Sequence, residues 1–231
     1  METPKLVLEA FASGLPIESV IVPSDVHPDP DIAEACDVSD AKLFSLDAQA
    51  YAKLADAKAP QPALAVVAAP SLDVDERFEV PEPGLFLVLV NVADPGNVGT
   101  LIRTAEASGC NGVIVTRETA DVLSPKVVRS SAGSVLRMPV GEVAEDMLLE
   151  RLSQLKATTV ATAMDGIPYG EVELDPMRST ALLLGSEAHG LGADILASAA
   201  VQVSIPMHGK VESLNVATTG AVLAFALRSN H

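Results

Sequence analysis

From Leu85 to Val92 the chain reads LFLVLVNV, an almost uninterrupted apolar run between Gly84 and a turn at Asp94, Pro95 and Gly96. So short a run without polar alternation suits a strand buried on both faces, as in a parallel sheet covered by helices. The pattern then alternates. A helix is predicted over about 97–108, the strand GVIVT after it, and helices over about 125–134 and 143–156. Strands are predicted over about 158–163 and at ALLLG (181–185) and VQVSI (201–205). Alternation at this spacing predicts an α/β fold with a parallel sheet, whose ligands bind beyond the carboxyl ends of the strands.

A smaller α/β unit precedes it. Residues 6–13 read as a helix stopped by Gly14, IESVIV (17–22) as a strand, about 47–57 as a helix and ALAVVAA (63–69) as a strand. The stretch PSLDVDERFEVPEPG (70–84), with its prolines and acidic residues, reads as a solvated linker. The expected domains are therefore 1–80 and 81–231.

The 231 residues suffice for a large core, and no apolar run approaches the length of a membrane span. METPKLVLEAFASG lacks the basic start and continuous apolar core of a secretory signal, so the expected compartment is the cytoplasm. Cys36 and Cys110 stand apart, without metal-ligand spacing, and read as buried reduced thiols. Net charge is −16, which argues against nonspecific coating of nucleic acid. The charge is uneven. Residues 1–96 carry 5 Lys+Arg against 17 Asp+Glu, residues 97–140 carry 5 against 3, and residues 141–231 carry 5 against 11. Arg103, Arg117, Lys126, Arg129 and Arg137 thus fall in the only net basic stretch. They form either a local anion-binding face or a scatter of surface charge.

Three segments carry the candidate chemistry: NVADPGNVGTLIRTAEASG (91–109), LLLGSEAHGLG (182–192) and IPMHGKVESLNVATTGAVLAFAL (205–227). In the first, Asn97 is expected to cap a helix and Arg103 lies six residues on, among apolar neighbours. An arginine so placed needs an anionic partner, either Glu106 or a phosphate. In the second, Gly185 follows a buried strand and permits close backbone approach, with Glu187 as an acceptor beside it. His189 reads as a solvent-facing loop residue. In the third, a glycine loop runs into Glu212, Ser213, Leu214 and Asn215, then a small-residue helix whose apolar faces require sheet or a second subunit. Ser213 is expected as the cap. No capping box forms, because its N3 residue is Val216. A helix start with free N–H groups can hold a polar ligand. The chain lacks GxGxxG after a strand, GxxxxGK[ST] and GxSxG, and no metal cluster is expected.

In this order and spacing the three segments resemble the motifs of the SpoU (TrmH-like) family of the SPOUT superfamily, over about residues 84–229. The resemblance implies a trefoil-knotted parallel-sheet catalytic domain behind a small α/β RNA substrate-binding domain. It implies an S-adenosylmethionine-dependent ribose 2′-O-methyltransferase acting on RNA, most readily 23S rRNA, and working as a homodimer. The matching functional positions are Asn97, Arg103, Glu187, Ser213 and Asn215. Met164, Gly185, Ile205 and Leu214 match the backbone cradle of the cofactor. Ala188 replaces a frequent glycine of the family, which raises the question of a left-handed backbone there. PKLVLEAFASG falls where rRNA-directed members have already run a strand and a basic segment, so the N-terminus reads as shortened.

Three other readings compete. They are a noncatalytic RNA-binding or assembly protein on the same scaffold, a tRNA-directed ribose methyltransferase, and a nucleotide-binding oxidoreductase. The first draws on the net charge; the last lacks the dinucleotide fingerprint.

Overall fold

A computed structural model describes residues 1–57, 59–78 and 83–228. The chain divides into two compact units, Met1–Pro70 and Ser71–His231.

In the first unit the elements run α1 (Pro4–Ala12), β1 (Ile17–Pro23), α2 (Pro30–Ser39), β2 (Lys42–Leu46), α3 (Ala48–Leu54) and β3 (Leu64–Val67). The sheet order is β2-β1-β3, with β1 and β2 parallel and β1 and β3 antiparallel. Val7, Val20, Ile32, Cys36 and Ala65 share its core. Two elements were not expected. α2 starts at an Asp29 cap with Pro30 in its first turn and ends at Asp40 in the left-handed region (φ 59), signals that its acidic sequence obscured. The β2 strand is an exposed edge with no burial alternation to betray it.

The second unit holds α4 (Val74–Arg77), β4 (Leu85–Leu89), α5 (Pro95–Ser108), β5 (Gly112–Thr116), α6 (Pro125–Ser130), α7 (Ser134–Arg137) and β6 (Val140–Val143). It continues with α8 (Leu148–Gln154), β7 (Thr158–Pro168), β8 (Thr180–Leu184), α9 (Ala193–Ser198), β9 (Val201–Ser204) and α10 (Val216–Arg228). The sheet is parallel throughout, in the order β6-β5-β4-β8-β7-β9. β4, β5 and β8 are buried at every position, as expected of central parallel strands. α10 follows the edge strand β9 yet packs back on α5, β4 and β8. Its Gly220 lies against Leu101 and Leu184, where a Cβ would sit 2.3 Å and 2.9 Å from their methyl carbons.

The expected linker is corrected in its middle. Asp73 caps α4, and Val74 and Phe78 are buried in the core of the second unit. Phe78 fills space over Gly112 and Gly141 that a Cβ on either would block, and meets Phe86 edge-on at 5.6 Å. Residues 79–82 of that stretch lie outside the described residues. The single helix expected near 125–134 is two, because Ala132 (φ 50) and Gly133 (φ 86) break it. The helix expected from 143 begins later, after β6 and a 3-10 turn at Glu145–Met147. Among the described residues no helix is long and apolar enough to cross a membrane, and no group of three His, Cys, Asp or Glu gathers as metal ligands.

Candidate active site

The strand order changes direction between β4 and β8: β5 and β6 lie on one side of β4, and β8, β7 and β9 on the other. Such a switch point opens a crevice beyond the carboxyl ends of the strands. α5 follows β4 there, and the Gly185 loop follows β8.

The N-terminus of α5 is set by Asp94, not Asn97. Asp94 Oδ1 accepts the Asn97 N–H at 2.9 Å, Pro95 takes the first helical position, and Asn97 falls at the third. That N–H bond, then the Lys126 ammonium at 3.4 Å, holds the Asp94 carboxyl below the usual carboxylate range. The Asn97 side chain is thereby released for other work. At the third segment the cap is Asn215, not Ser213. Its Oδ1 accepts from the Ala217 N–H at 2.8 Å and from Thr218 at 3.4 Å.

These caps fix a chain of hydrogen bonds across all three segments. Because the Asn215 oxygen is committed to the helix, its Nδ2 faces outward and donates to Asn97 Oδ1 at 3.1 Å. Asn97 Nδ2 then donates to Glu187 Oε1 at 2.7 Å. A carboxylate only accepts, so both amide orientations follow from the chemistry. Residues separated by 90 and 118 positions are joined in one polar line.

Glu187 is carried by a loop closed on itself. Ser186 N–H donates to Gly190 O at 3.2 Å and Gly190 N–H to Ser186 O at 2.9 Å, while His189 N–H donates to Ser186 Oγ. A Cβ on Gly185 would meet Gly190 C at 2.2 Å and Leu191 N at 2.4 Å, so the backbone itself excludes any larger residue. The left-handed position is Gly190 (φ +66). Ala188 has no positive φ and fits without strain.

Arg103 is exposed two turns along α5 and makes no hydrogen bond or ion pair among the described residues. One of its two expected partners is excluded, since Glu106 is held by Arg137 at 2.5 Å and 2.9 Å. On an ideal helix Arg103 stands about 9 Å along the axis from Asn97 and about 120° around it. The two therefore do not share a face. Ser213 is exposed and likewise without a partner among the described residues.

The cofactor-type positions gather at neighbouring strand ends. Met164 lies beyond the stretch of β7 paired with β8 and is 71% exposed; Gly185 follows β8 and Ile205 follows β9. Among the described residues none from Met207 to Leu214 makes a hydrogen bond, and Val211 and Leu214 are exposed. A run of uncommitted backbone donors and acceptors beside exposed apolar side chains fits a nucleoside-like ligand. Sequence reasoning placed Asp94 in a turn and Lys126 on a basic stretch, but missed that Asp94 caps α5 and that Lys126 pairs with it. The signal for Asp94 was present, as an Asp directly before Pro-Gly at a helix start.

Residues 84–225 match the family model described as SpoU rRNA Methylase. An uncharacterized tRNA/rRNA methyltransferase of Synechocystis is 37% identical over 80% of this chain, which spans 66% of that protein. The 23S rRNA (guanosine(2553)-2′-O)-methyltransferase RlmP of Bacillus subtilis is 30% identical over 99% of this chain and 87% of its own length. The SpoU methyltransferase AviRb of Streptomyces viridochromogenes, solved in complex with the cofactor AdoMet, superposes with a TM-score of 0.89 at 26% identity. That match covers 99% of this chain and 88% of AviRb. The matched segment contains the first two motifs, the third as far as Phe225, and the polar line that joins them, and the chain belongs to the SpoU rRNA methylase family.

Proposed function

We propose that this protein transfers a methyl group from S-adenosylmethionine to a ribose 2′-hydroxyl of RNA, with 23S rRNA as the substrate. The observation that carries this reading is the Asn215–Asn97–Glu187 line at the switch point, with an uncommitted Arg103 on the same helix as Asn97. Similarity over nearly the whole chain to a 23S rRNA 2′-O-methyltransferase supports rRNA over tRNA, and a catalyst over a binding protein.

Bound at Met164, Gly185, Ile205 and Leu214, S-adenosylmethionine supplies an electrophilic methyl on a sulfonium. The residues of the chain then have to hold a weak nucleophile in line with it and exclude competing geometries. Arg103 orients the RNA phosphate and the attacking hydroxyl and stabilises the alkoxide as it develops. A guanidinium keeps its own proton at neutral pH, so the hydroxyl proton leaves to another acceptor. Asn97, fixed between Glu187 and Asn215, and Ser213, with its hydroxyl free, position the ribose.

The catalytic unit is a trefoil knot in this reading. Support comes from β8 lying between β4 and β7, and from α10 returning from the edge strand to the middle of the sheet. The protein works as a homodimer, with Arg103 of one subunit serving the cofactor of the other; Phe225, 53% exposed on α10, suits the contact. The first unit binds the RNA substrate, and the enzyme acts in the cytoplasm, where rRNA is modified. Purified protein with labelled S-adenosylmethionine and ribosomal RNA tests the reading. Label enters RNA with the wild type and is lost with Arg103→Ala while cofactor binding persists. Absence of transfer by a folded, cofactor-binding wild type would refute it.

A further inference from the structure

On α5, Arg103 and Glu106 stand three residues apart, the spacing at which opposite charges on a helix meet. Exposed, and with a carboxylate at that spacing, Arg103 has a default partner in its own helix. It does not take it. Glu106 is gripped from α7 instead: Arg137 Nε reaches Oε1 at 2.5 Å and Nη2 reaches Oε2 at 2.9 Å. This is the two-pronged geometry peculiar to arginine on a carboxylate. The pair is partly shielded, with side-chain exposures of 35% and 32%. α7 reaches Glu106 only because the chain breaks at Ala132 and Gly133, both in the left-handed region, before the helix restarts at Ser134.

We infer that Arg137 is a positioning residue: by holding Glu106 it keeps that carboxylate from neutralising Arg103, and so leaves the guanidinium available to the RNA. The inference rests on the methyl-transfer reading for what Arg103 does, but not for the competition itself. With Arg137 removed, the Glu106 carboxylate keeps only the neutral Ser134 hydroxyl as a donor, and its negative charge stands uncompensated one helical turn from Arg103. That charge both competes for the guanidinium and repels a phosphate approaching it, over a distance shorter than the screening length at ordinary salt.

The test is a double-mutant cycle in the full chain with Arg137→Gln, Glu106→Gln and the pair together. Three readouts are compared: kcat/KM on ribosomal RNA, cofactor affinity, and the ¹⁵N Nε–Hε resonance of Arg103, assigned by its loss in Arg103→Lys. Arg137→Gln is expected to lower kcat/KM roughly threefold or more at low salt, with the loss shrinking as salt rises. Cofactor affinity stays unchanged, and the Arg103 Nε–Hε exchanges more slowly. The double variant returns both kcat/KM and exchange to near wild type, which a purely structural role for Arg137 does not allow. Arg137→Lys, a milder cut that keeps the charge, shows the same pattern at smaller size if the glutamine variant folds poorly. A double variant as impaired as Arg137→Gln, or an Arg103 resonance indifferent to Arg137, overturns the inference. Because the resonance is read in free protein, it decides the competition even if the wild type transfers no methyl group.

Discussion

Gly185→Ala is the most diagnostic single substitution in the loop that carries Glu187. A Cβ at 185 would lie 2.2 Å from Gly190 C, 2.4 Å from Gly190 O and 2.4 Å from Leu191 N, all of them backbone atoms. No side chain can swing aside, so the loop itself must move by about 1 Å to reach ordinary contact. Overpacking of this kind costs about 1–3 kcal/mol. Loss of the two Ser186–Gly190 backbone bonds adds about 1 kcal/mol each, giving about 3–5 kcal/mol together. For a chain of this size that lowers Tm by roughly 6–20 °C in a thermal melt. Glu187 moves with the loop and releases Asn97, so methyl transfer should fall about 100-fold, the effect expected of a 1 Å misplacement. Two neighbours calibrate the result. Gly190→Ala adds no clash but places alanine at φ +66, which costs about 1–2 kcal/mol. Gly170→Ala meets nothing within 4 Å and has no positive φ, so it should be neutral or mildly stabilising. A Gly185→Ala protein with wild-type Tm and activity would refute the reasoning that the backbone approach builds the site.

Asn215→Ala removes both the α10 cap and the bond to Asn97, and should destabilise by about 1 kcal/mol in denaturant melts. Asn215→Asp keeps the cap and should recover that stability, while placing a carboxylate where an amide donated to Asn97. The Glu106 carboxyl is held below its ordinary value of 4.5, chiefly by its hydrogen bond to Arg137. A depressed folded-state value stabilises above the unfolded one and is lost as pH falls through the folded one. Glu106→Gln should therefore flatten the loss of stability below about pH 4.5 and leave the slope above it unchanged. In the first unit, burial followed by the nearby Glu2 charge pushes the Tyr51 hydroxyl up to about 12, and it donates to Gln61 O. Ultraviolet titration should find Tyr51 ionising at about 12, and a Tyr51→Phe protein should lack that step.

Sequence patterning revealed the parts of the fold that burial dictates. LFLVL, GVIVT and TALLL are apolar enough to be read as central strands wherever the rest of the chain goes. The three motifs were legible for a different reason, since their polar residues sit at strand ends and helix starts where packing alone would not demand them. What escaped was decided by tertiary contacts. VGEV is short and contains a glycine, and it is a strand because it pairs with β5 beneath Phe78 and Val74. The caps were misread by a few residues: Asn97 and Ser213 have the right chemistry, but Asp94 and Asn215 reach the free N–H groups. That shift matters, because it leaves the Asn97 amide free to link Glu187 to Asn215. The partner of Arg103 was posed by the sequence as a choice between Glu106 and a phosphate. Only the placement of Arg137, from a helix restarted past a left-handed Ala-Gly pair, excludes the first.

The central claim is that Arg103 directs a methyl group to a ribose hydroxyl, and nucleoside mass spectrometry tests it most directly. Ribosomal RNA incubated with the protein and isotopically labelled S-adenosylmethionine is digested to nucleosides and fragmented. The account predicts label on the ribose of one nucleoside, present with wild type and absent with Arg103→Ala. Label on a base, or ribose label undiminished in Arg103→Ala, would contradict it.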